Sequence, residues 1–279
     1  MIDRMEGVPL DIRAIAFDLD DTMLRDDRTL SAESIRVIRE AAAKGCRIIP
    51  ASGRARDSMR SFVEEFGCAD AYIACNGAEV WSPRHELLMR LTFPDETSQE
   101  ILSFVRAHGS YAQTYSGDHF YYLEESEWAP RYAASSMLTG FYTPDLESFI
   151  REHPTSKILL MDREDRVARM LTEARERFAG RAAVTCSKPY FLEFNPTQAT
   201  KGNALAFCAE NLGFSLGETM AFGDSLNDLS MLERVGCGVA VGNARDDVRS
   251  RVSHVCGTNE ENGPARFIAQ HVLGEETAR

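Results

Sequence analysis

The segment IRAIAFDLDDT, residues 12–22, changes from an apolar run to a cluster of acids at Asp18. A nearly continuous apolar run is typical of a strand that is buried on both faces of a parallel sheet. Residues two apart share a face in extended backbone, so Asp18 and Asp20 can point into one site beyond the strand. Ligand sites of open α/β sheets lie at this carboxyl end of the strands. The segment predicts a parallel sheet with a polar site at its edge, although an acid-rich turn remains an alternative on these residues alone.

Strand and helix patterns alternate on both sides of this segment. Helical patterns cover residues 31–44, a segment that ends at Gly67, and a segment that begins at Lys201. Further predicted strands cover residues 47–51, 71–75, 219–222 and 238–241. Such alternation predicts right-handed βαβ units and a doubly wound α/β core.

The middle of the chain differs from these flanks. Residues 80–93 predict paired strands around a Pro83-Arg84 turn, and residues 111–123 predict another pair around Ser116-Gly117-Asp118. Residues 124–154 show no clear pattern. We therefore expect a discontinuous core over residues 1–82 and 193–279, with residues 83–192 inserted as a mixed α/β domain. The two parts are expected to hinge near residues 82 and 193.

Composition excludes several classes of protein. The 31 Lys and Arg residues against 43 Asp and Glu residues give a net charge of −12 without any basic block, which argues against a nucleic-acid partner. No stretch approaches the roughly 18 uncharged apolar residues of a membrane helix, and residues 1–13 lack the apolar run of a signal peptide. The seven cysteines form no CxxC pair. We expect a cytoplasmic protein with free thiols and no membrane partner, and the sequence predicts no particular oligomeric state.

Three further polar segments lie next to predicted elements. Gly223-Asp224-Ser225-Leu226-Asn227-Asp228 follows a strand and is acidic like residues 18–22. Ser52-Gly53-Arg54 follows another strand and can donate hydroxyl and backbone N–H groups to an anion. Lys201 begins a helix, where its ammonium converges with the positive end of the helix dipole. Taken alone, residues 223–228 could be a helix cap, residues 52–54 a generic turn and Lys201 a surface lysine. Together they predict a metal-assisted phosphate site, because Mg²⁺ is held by oxygen ligands and substrate phosphate.

In order and position, these segments resemble the four motifs of the haloacid dehalogenase superfamily of phosphohydrolases. The motifs are Asp-x-Asp-x-Thr at 18–22, Ser-Gly-Arg at 52–54, Lys-Gly at 201–202 and Gly-Asp-x-x-Asn-Asp at 223–228. Asn76-Gly77-Ala78, Leu192-Glu193-Phe194, residues 239–244 and Asn262-Gly263 further resemble the Cof-type branch, which carries a C2-type (type IIB) cap. The resemblance implies a Rossmann-like parallel-sheet core, an inserted α/β cap domain and Mg²⁺ dependence. The acid at position 20 favours phosphate chemistry over dehalogenation.

The resemblance also implies a role for each motif residue. Asp18 would attack phosphorus and become an aspartyl phosphate, which splits one displacement into two. Asp20 would protonate the leaving oxygen and then deprotonate water, while its backbone carbonyl faces the metal. Lys201 would neutralise charge and orient the nucleophile. The phosphoryl group would be bound by Leu19, Ser52, Gly53, Lys201 and Asn227, and the Mg²⁺ by Asp18, Asp20, Asp224 and Asp228.

We therefore expect a Mg²⁺-dependent phosphatase that hydrolyses a small phosphorylated metabolite, such as a sugar phosphate or a phosphorylated cofactor. Two alternatives remain: phosphotransfer to a sugar hydroxyl, as in mutase-like relatives, and a non-catalytic phosphometabolite sensor. The sensor is disfavoured because a pure binder needs no acid at position 20. The aromatic residues between 111 and 122 either pack within strands or contact the leaving group.

Overall fold

The computed structural model describes residues 11–117 and 119–275. In chain order its strands are β1 (Ala14–Phe17), β2 (Arg47–Pro50), β3 (Tyr72–Ala74), β4 (Glu79–Trp81), β5 (Leu87–Arg90), β6 (Tyr111–Ser116), β7 (His119–Tyr122), β8 (Thr139–Tyr142), β9 (Ile158–Met161), β10 (Ala182–Thr185), β11 (Phe191–Pro196), β12 (Thr219–Gly223), β13 (Cys237–Ala240) and β14 (His254–Val255). Its helices are α1 (Ala32–Ala43), α2 (Arg56–Phe66), α3 (Asp95–His108), α4 (Trp128–Ser136), α5 (Leu146–Glu152), α6 (Glu164–Arg177), α7 (Lys201–Leu212), α8 (Leu229–Leu232), α9 (Asp246–Arg249) and α10 (Gly263–Ile268). The ends of the predicted core range, residues 1–10 and 276–279, lie outside the described residues.

A five-stranded parallel sheet forms the core, in the order β14-β13-β12-β1-β2. Its strands bury side chains on both faces, as the apolar pattern predicts. On one face Ile15 and Phe17 pack in the same cluster as residues of α1, α2 and α10. On the other face Ala16 and Ala221 pack with residues of α7 and α8. The predicted Rossmann-like core is confirmed.

The strand predicted over residues 71–75 pairs differently from the expectation. As β3 it belongs to a three-stranded antiparallel sheet with β4 and β5. One isolated bridge, Ala51 to Ile73, connects it to the parallel sheet. The backbone N–H groups of Ile48 and Ser52 point to the β3 side, where they donate to Asp70 and Ile73. Pro50 lies between them and has no N–H to donate, so regular pairing with β3 is interrupted.

The cap contains a six-stranded sheet in the order β10-β11-β9-β6-β7-β8, antiparallel except between β7 and β8. Residues of α3, α5 and α6 form a hydrophobic cluster with one face of this sheet. On the other face, Tyr111, Phe120 and Leu159 share a cluster with Cys75 and Ala78 of the core. The predicted mixed α/β cap is confirmed. Asp118, in the predicted turn between β6 and β7, lies outside the described residues.

Two segments connect the cap with the core. Ser82 follows β4, and Glu193 lies inside β11, a strand of the cap sheet. Because β11 ends at Pro196 and α7 begins at Lys201, the cap sheet continues almost directly into a core helix. None of the helices within residues 11–117 and 119–275 combines the length and apolarity needed to cross a membrane.

Candidate active site

The carboxyl ends of β1 and β12 bring two acidic motifs together. These strands are parallel neighbours with Phe17 opposite Phe222, so the residues that follow them are adjacent. Carboxylate oxygens of Asp18, Asp224 and Asp228 all lie within 4.8 Å of one another. Asp18 is 5% exposed, Asp224 9% and Asp228 0%. Three of the four predicted metal ligands thus form one nearly buried cluster.

Lys201 lies against this cluster at the start of α7. Its Nζ donates to Oδ1 of Asp18 at 2.5 Å and to Oδ1 of Asp228 at 2.5 Å. Burial alone would lower the pKa of Lys201, but the two adjacent carboxylates raise it above its ordinary value. The charged ammonium form of Lys201 is therefore favoured, and it donates a hydrogen bond to one oxygen of Asp18. No described group donates a hydrogen bond to the other oxygen, Oδ2.

Asp228 organises the turn that follows β12. Its Oδ2 accepts hydrogen bonds from the backbone N–H groups of Asp224 and Ser225, both at 3.0 Å. A Cβ at Gly223 would lie 2.5 Å from the Asp228 Cβ, so this close approach requires glycine. The turn occupies residues 224–228, and the short helix α8 follows it at Leu229.

The cluster carries more negative charge than Lys201 can balance. Burial and the charge of Asp228 raise the pKa of Asp224 to about 7. Burial also raises the pKa of Asp18 well above its ordinary value; Lys201 opposes this shift and the neighbouring carboxylates reinforce it. A divalent cation would relieve the repulsion, and a donor set made only of carboxylate oxygens fits Mg²⁺.

Ser52 and Gly53 form the turn after β2. Ser52 is 1% exposed, and its Oγ accepts a hydrogen bond from the Arg54 N–H at 3.2 Å. A Cβ at Gly53 would lie 2.8 Å from Oδ1 of Asn76, so a side chain there would displace that amide. Both residues line the cavity that contains Asp18, as expected for a turn that approaches a phosphate.

Asp20 also lines this cavity but is not part of the carboxylate cluster. Arg54 donates from Nε to Oδ2 and from Nη2 to Oδ1 of Asp20, each at 2.7 Å. Burial would raise the pKa of Asp20, but the hydrogen bonds and charge of Arg54 outweigh burial and lower it. The metal role predicted for Asp20 concerned its backbone carbonyl and stays a prediction. Arg54 itself was not assigned a role, although it stands in the Ser-Gly-Arg motif.

The remaining predicted phosphate ligands have different surroundings. Asn227 lines the cavity and donates from Nδ2 to Oδ1 of Asn76 at 2.9 Å. Asn76 donates in turn to Oδ1 of Asn195 on β11 at 3.1 Å, which links the site to the cap. The side chain of Leu19 is buried in the core, so only its backbone is available to a phosphoryl group.

Cap residues cover the site and complete a cavity of about 190 Å³. The cap side of the lining comes mainly from α4 and from the loop before β11, and includes Trp128, Arg131, Tyr132, Ser187, Lys188 and Tyr190. Lys157, which immediately precedes β9, donates to the Gly53 carbonyl at 2.8 Å and forms an ion pair with Glu193. The sequence did not predict these contacts, because α4 lies in the segment without a clear pattern. Tyr111 and Phe120 pack on the core-facing side of the cap sheet but do not line this cavity.

Known proteins are similar to this chain in sequence. The model of haloacid dehalogenase-like hydrolases matches residues 15–268. The 5-amino-6-(5-phospho-D-ribitylamino)uracil phosphatase YcsE of Bacillus subtilis (strain 168) is 30% identical, over 95% of this chain and 97% of its own.

Solved structures share the fold. A haloacid dehalogenase-like hydrolase of B. subtilis superposes with a TM-score of 0.84 at 28% identity, covering 94% of this chain and 100% of the other. The subclass IIB sugar phosphatase BT4131 has the same fold, with a TM-score of 0.81 at 22% identity over 94% and 99% of the two chains. The prediction of a phosphatase with a C2-type cap is confirmed, and the chain belongs to the haloacid dehalogenase-like hydrolase family.

Proposed function

We propose that the chain is a Mg²⁺-dependent phosphatase that hydrolyses a small phosphorylated metabolite through an aspartyl phosphate on Asp18. The observation that carries this proposal is the hydrogen bonding of the two Asp18 carboxylate oxygens. Lys201 holds one of its oxygens, the other accepts no hydrogen bond from the described residues, and Asp224 lies beside it. The related uracil phosphatase is named for a phosphorylated ribityl compound, which supports a substrate of the sugar phosphate or phosphorylated cofactor class. A cavity of about 190 Å³ is smaller than the pockets that hold drug-sized ligands, which supports a small substrate.

Asp18 and Asp224 would hold the metal with their side chains, supported by Asp228 and by the backbone carbonyl of Asp20. When bound, Mg²⁺ would offset the negative charge that the transferred phosphoryl group carries in the transition state. Asp228 keeps the turn that presents Asp224 in place through its hydrogen bonds to the backbone of that turn.

In the first step, Oδ2 of Asp18 forms a bond to phosphorus and the bond from phosphorus to the leaving oxygen breaks. Ser52 and the backbone at Gly53 hold the phosphoryl oxygens, while Lys201 fixes the attacking carboxylate. Asp20 gives its proton to the leaving oxygen. Because Arg54 favours the carboxylate form of Asp20, that ion pair has to loosen when Asp20 carries the proton.

In the second step, water attacks phosphorus and the bond between phosphorus and Asp18 breaks. Asp20 accepts the proton of the water, a reaction that requires the carboxylate form that Arg54 stabilises. Asp18 is restored and inorganic phosphate leaves. The contact between Asp20 and Arg54 thus favours hydrolysis of the intermediate over its accumulation.

Asp18→Asn tests the proposal. The amide cannot attack phosphorus, so turnover of p-nitrophenyl phosphate with Mg²⁺ should be abolished while thermal unfolding stays cooperative. Asp165→Asn is the matched control, since Asp165 is exposed on α6 and outside the cavity lining, and it should keep full activity. Undiminished turnover by Asp18→Asn would refute the mechanism. An added acceptor alcohol distinguishes hydrolysis from transfer. Hydrolysis yields inorganic phosphate, whereas transfer to a hydroxyl yields the phosphorylated alcohol.

A further inference from the structure

Most charged side chains around the active-site cavity have a partner of opposite charge. The pairs are Asp18 with Lys201, Asp20 with Arg54, Asp21 with Lys188, and Glu193 with Lys157. Asp224 also lines the cavity and belongs to the carboxylate cluster. Two arginines of the lining, Arg28 and Arg131, have no acidic partner among the described residues. The cavity therefore presents two uncompensated positive charges, although the whole chain carries a net charge of −12.

Arg131 is held in place by aromatic rings rather than by hydrogen bonds. Its guanidinium carbon lies 5.1 Å from the centroid of the Trp128 ring and 4.9 Å from that of Tyr190. The two rings are themselves nearly parallel, with centroids 6.1 Å apart and planes at 20°. Stacking of this kind restrains the guanidinium while all its N–H donors stay available. Arg131 is thus oriented in advance for an acceptor that comes from outside the protein.

Arg28 approaches the same cavity from the core. It lies in a tight turn that precedes α1, in which its backbone N–H donates to the Arg25 carbonyl at 2.8 Å. The two arginines come from opposite sides of the cleft, Arg28 from the core and Arg131 from the cap. An anion bound by both would bridge the two domains.

The lack of a partner is uncommon for an arginine of this protein. Among residues 11–117 and 119–275, one other arginine, Arg177, has a guanidinium with neither an ion pair nor a hydrogen bond. Arg177 lies over the rings of Phe104 and Phe178, at 5.7 and 5.6 Å, and does not line the cavity. It therefore serves as a matched control for Arg131, since both are arginines packed on aromatic rings.

We propose that Arg28 and Arg131 form a second anion subsite, which selects phosphate esters whose leaving group carries another anionic group, a carboxylate or a second phosphate. This inference rests on the proposed function, because it assumes that the transferred phosphoryl group occupies the Asp18 end of the cavity. A guanidinium binds carboxylate and phosphate oxygens through charge-assisted, often bidentate hydrogen bonds. A leaving group without charge would leave both guanidiniums without a partner.

The experiment compares substrates that differ only in the second anion. Phosphoglycerate and glycerol phosphate are one such pair, and a hexose bisphosphate with its monophosphate is another. In at least one pair, the wild-type enzyme should have a higher kcat/KM for the compound with the extra anion, which is phosphoglycerate or the hexose bisphosphate. Arg131→Met should reduce that preference about tenfold, the equivalent of one charge-assisted hydrogen bond. Arg28→Met should reduce it as well, and Arg131→Lys should retain part of it.

Arg177→Met should leave the preference unchanged. The proposal is overturned if the wild type prefers neither of the extra anions, or if Arg131→Met lowers kcat/KM equally for both members of a pair. Calorimetric binding of the same compounds to Asp18→Asn separates this inference from the proposed function. A binding preference that Arg131→Met removes would support the subsite even if the wild type turned over no phosphate ester, whereas turnover of p-nitrophenyl phosphate without any such preference would overturn the subsite alone.

Discussion

The raised pKa of Asp224 makes the stability of the metal-free protein depend on pH. An aspartate of the unfolded chain has a pKa of about 3.9, whereas burial and Asp228 raise that of Asp224 to about 7 in the folded chain. The folded state therefore binds the proton more tightly, and its stabilisation is complete below the unfolded pKa and lost as the pH rises through about 7. We expect the melting temperature of the metal-free wild type to fall as the pH rises over this range, and the melting temperature of Asp224→Asn to fall less. Thermal unfolding in chelator-treated buffer measures both.

Added Mg²⁺ provides the complementary result. A proton and a cation compete for the same carboxylates, so Mg²⁺ should raise the melting temperature more above pH 7 than below it. Asp224→Asn should lose most of this stabilisation. Equal stabilisation of wild type and variant at both pH values would show that the carboxylate cluster does not hold the ion.

At the level of elements, the contact between α7 and α8 depends on Gly202. A Cβ at this position would lie 1.9 Å from the Ser230 carbonyl oxygen, so an alanine would push the two helices apart. Alanine in place of glycine ordinarily stabilises a helix by about 1 kcal/mol. Here we expect Gly202→Ala to destabilise the protein by about 1–3 kcal/mol and to lower kcat, because Lys201 is the preceding residue. Urea unfolding and steady-state kinetics measure these effects.

Gly217→Ala is the control for that substitution. Its added methyl group would meet only the Ser215 hydroxyl, at 3.5 Å, which is an ordinary contact. Stability of Gly202→Ala equal to that of Gly217→Ala would contradict the close packing of α7 on α8.

Helices and strands with clear periodicity could be predicted from the sequence, whereas the strands with which they pair often could not. The helix expected over residues 31–44 is Ala32–Ala43, because apolar spacing and a glycine stop are local signals. β3 does not pair regularly with β2 because Pro50 lacks an N–H group at a position that faces β3. Which side of β2 that position faces depends on the strand register, which the composition of the segment does not indicate. The motif residues Asp18 and Lys201 were identified because each follows or begins an element in the sequence.

The cap side of the site could not be predicted in the same way. Trp128 and Arg131 lie on α4, within a segment whose sequence shows no clear period. Lys157 and Glu193 meet because β9 and β11 are neighbours in the cap sheet. Convergence of this kind depends on tertiary pairing, which a single sequence does not state.

At the level of the whole molecule, Lys157 is a point at which the cap contacts the turn after β2, and it forms an ion pair with Glu193 within the cap sheet. Both residues are almost completely buried, and Lys157 also donates to the Gly53 carbonyl. Lys157→Met should destabilise the protein by about 3–5 kcal/mol, because the Glu193 carboxylate would stay buried without its partner. Combining it with Glu193→Gln should restore part of that loss. Urea unfolding of the two single variants and the double variant measures the coupling, and strict additivity of their effects would contradict it.

The short connection from β11 to α7 limits where the cap of this enzyme could be separated from the core. Pro196 ends a strand of the cap sheet, and Lys201, which donates a hydrogen bond to Asp18, begins α7 soon after that strand ends. A chimera that exchanged caps between relatives would interrupt the strand that leads to Lys201 if the splice fell within β11. A junction placed before Phe191 or after Pro196 would instead keep the strand intact. Cap exchange in such a chain is therefore restricted to junctions that leave β11 whole, because this strand leads directly to the ammonium group that holds Asp18.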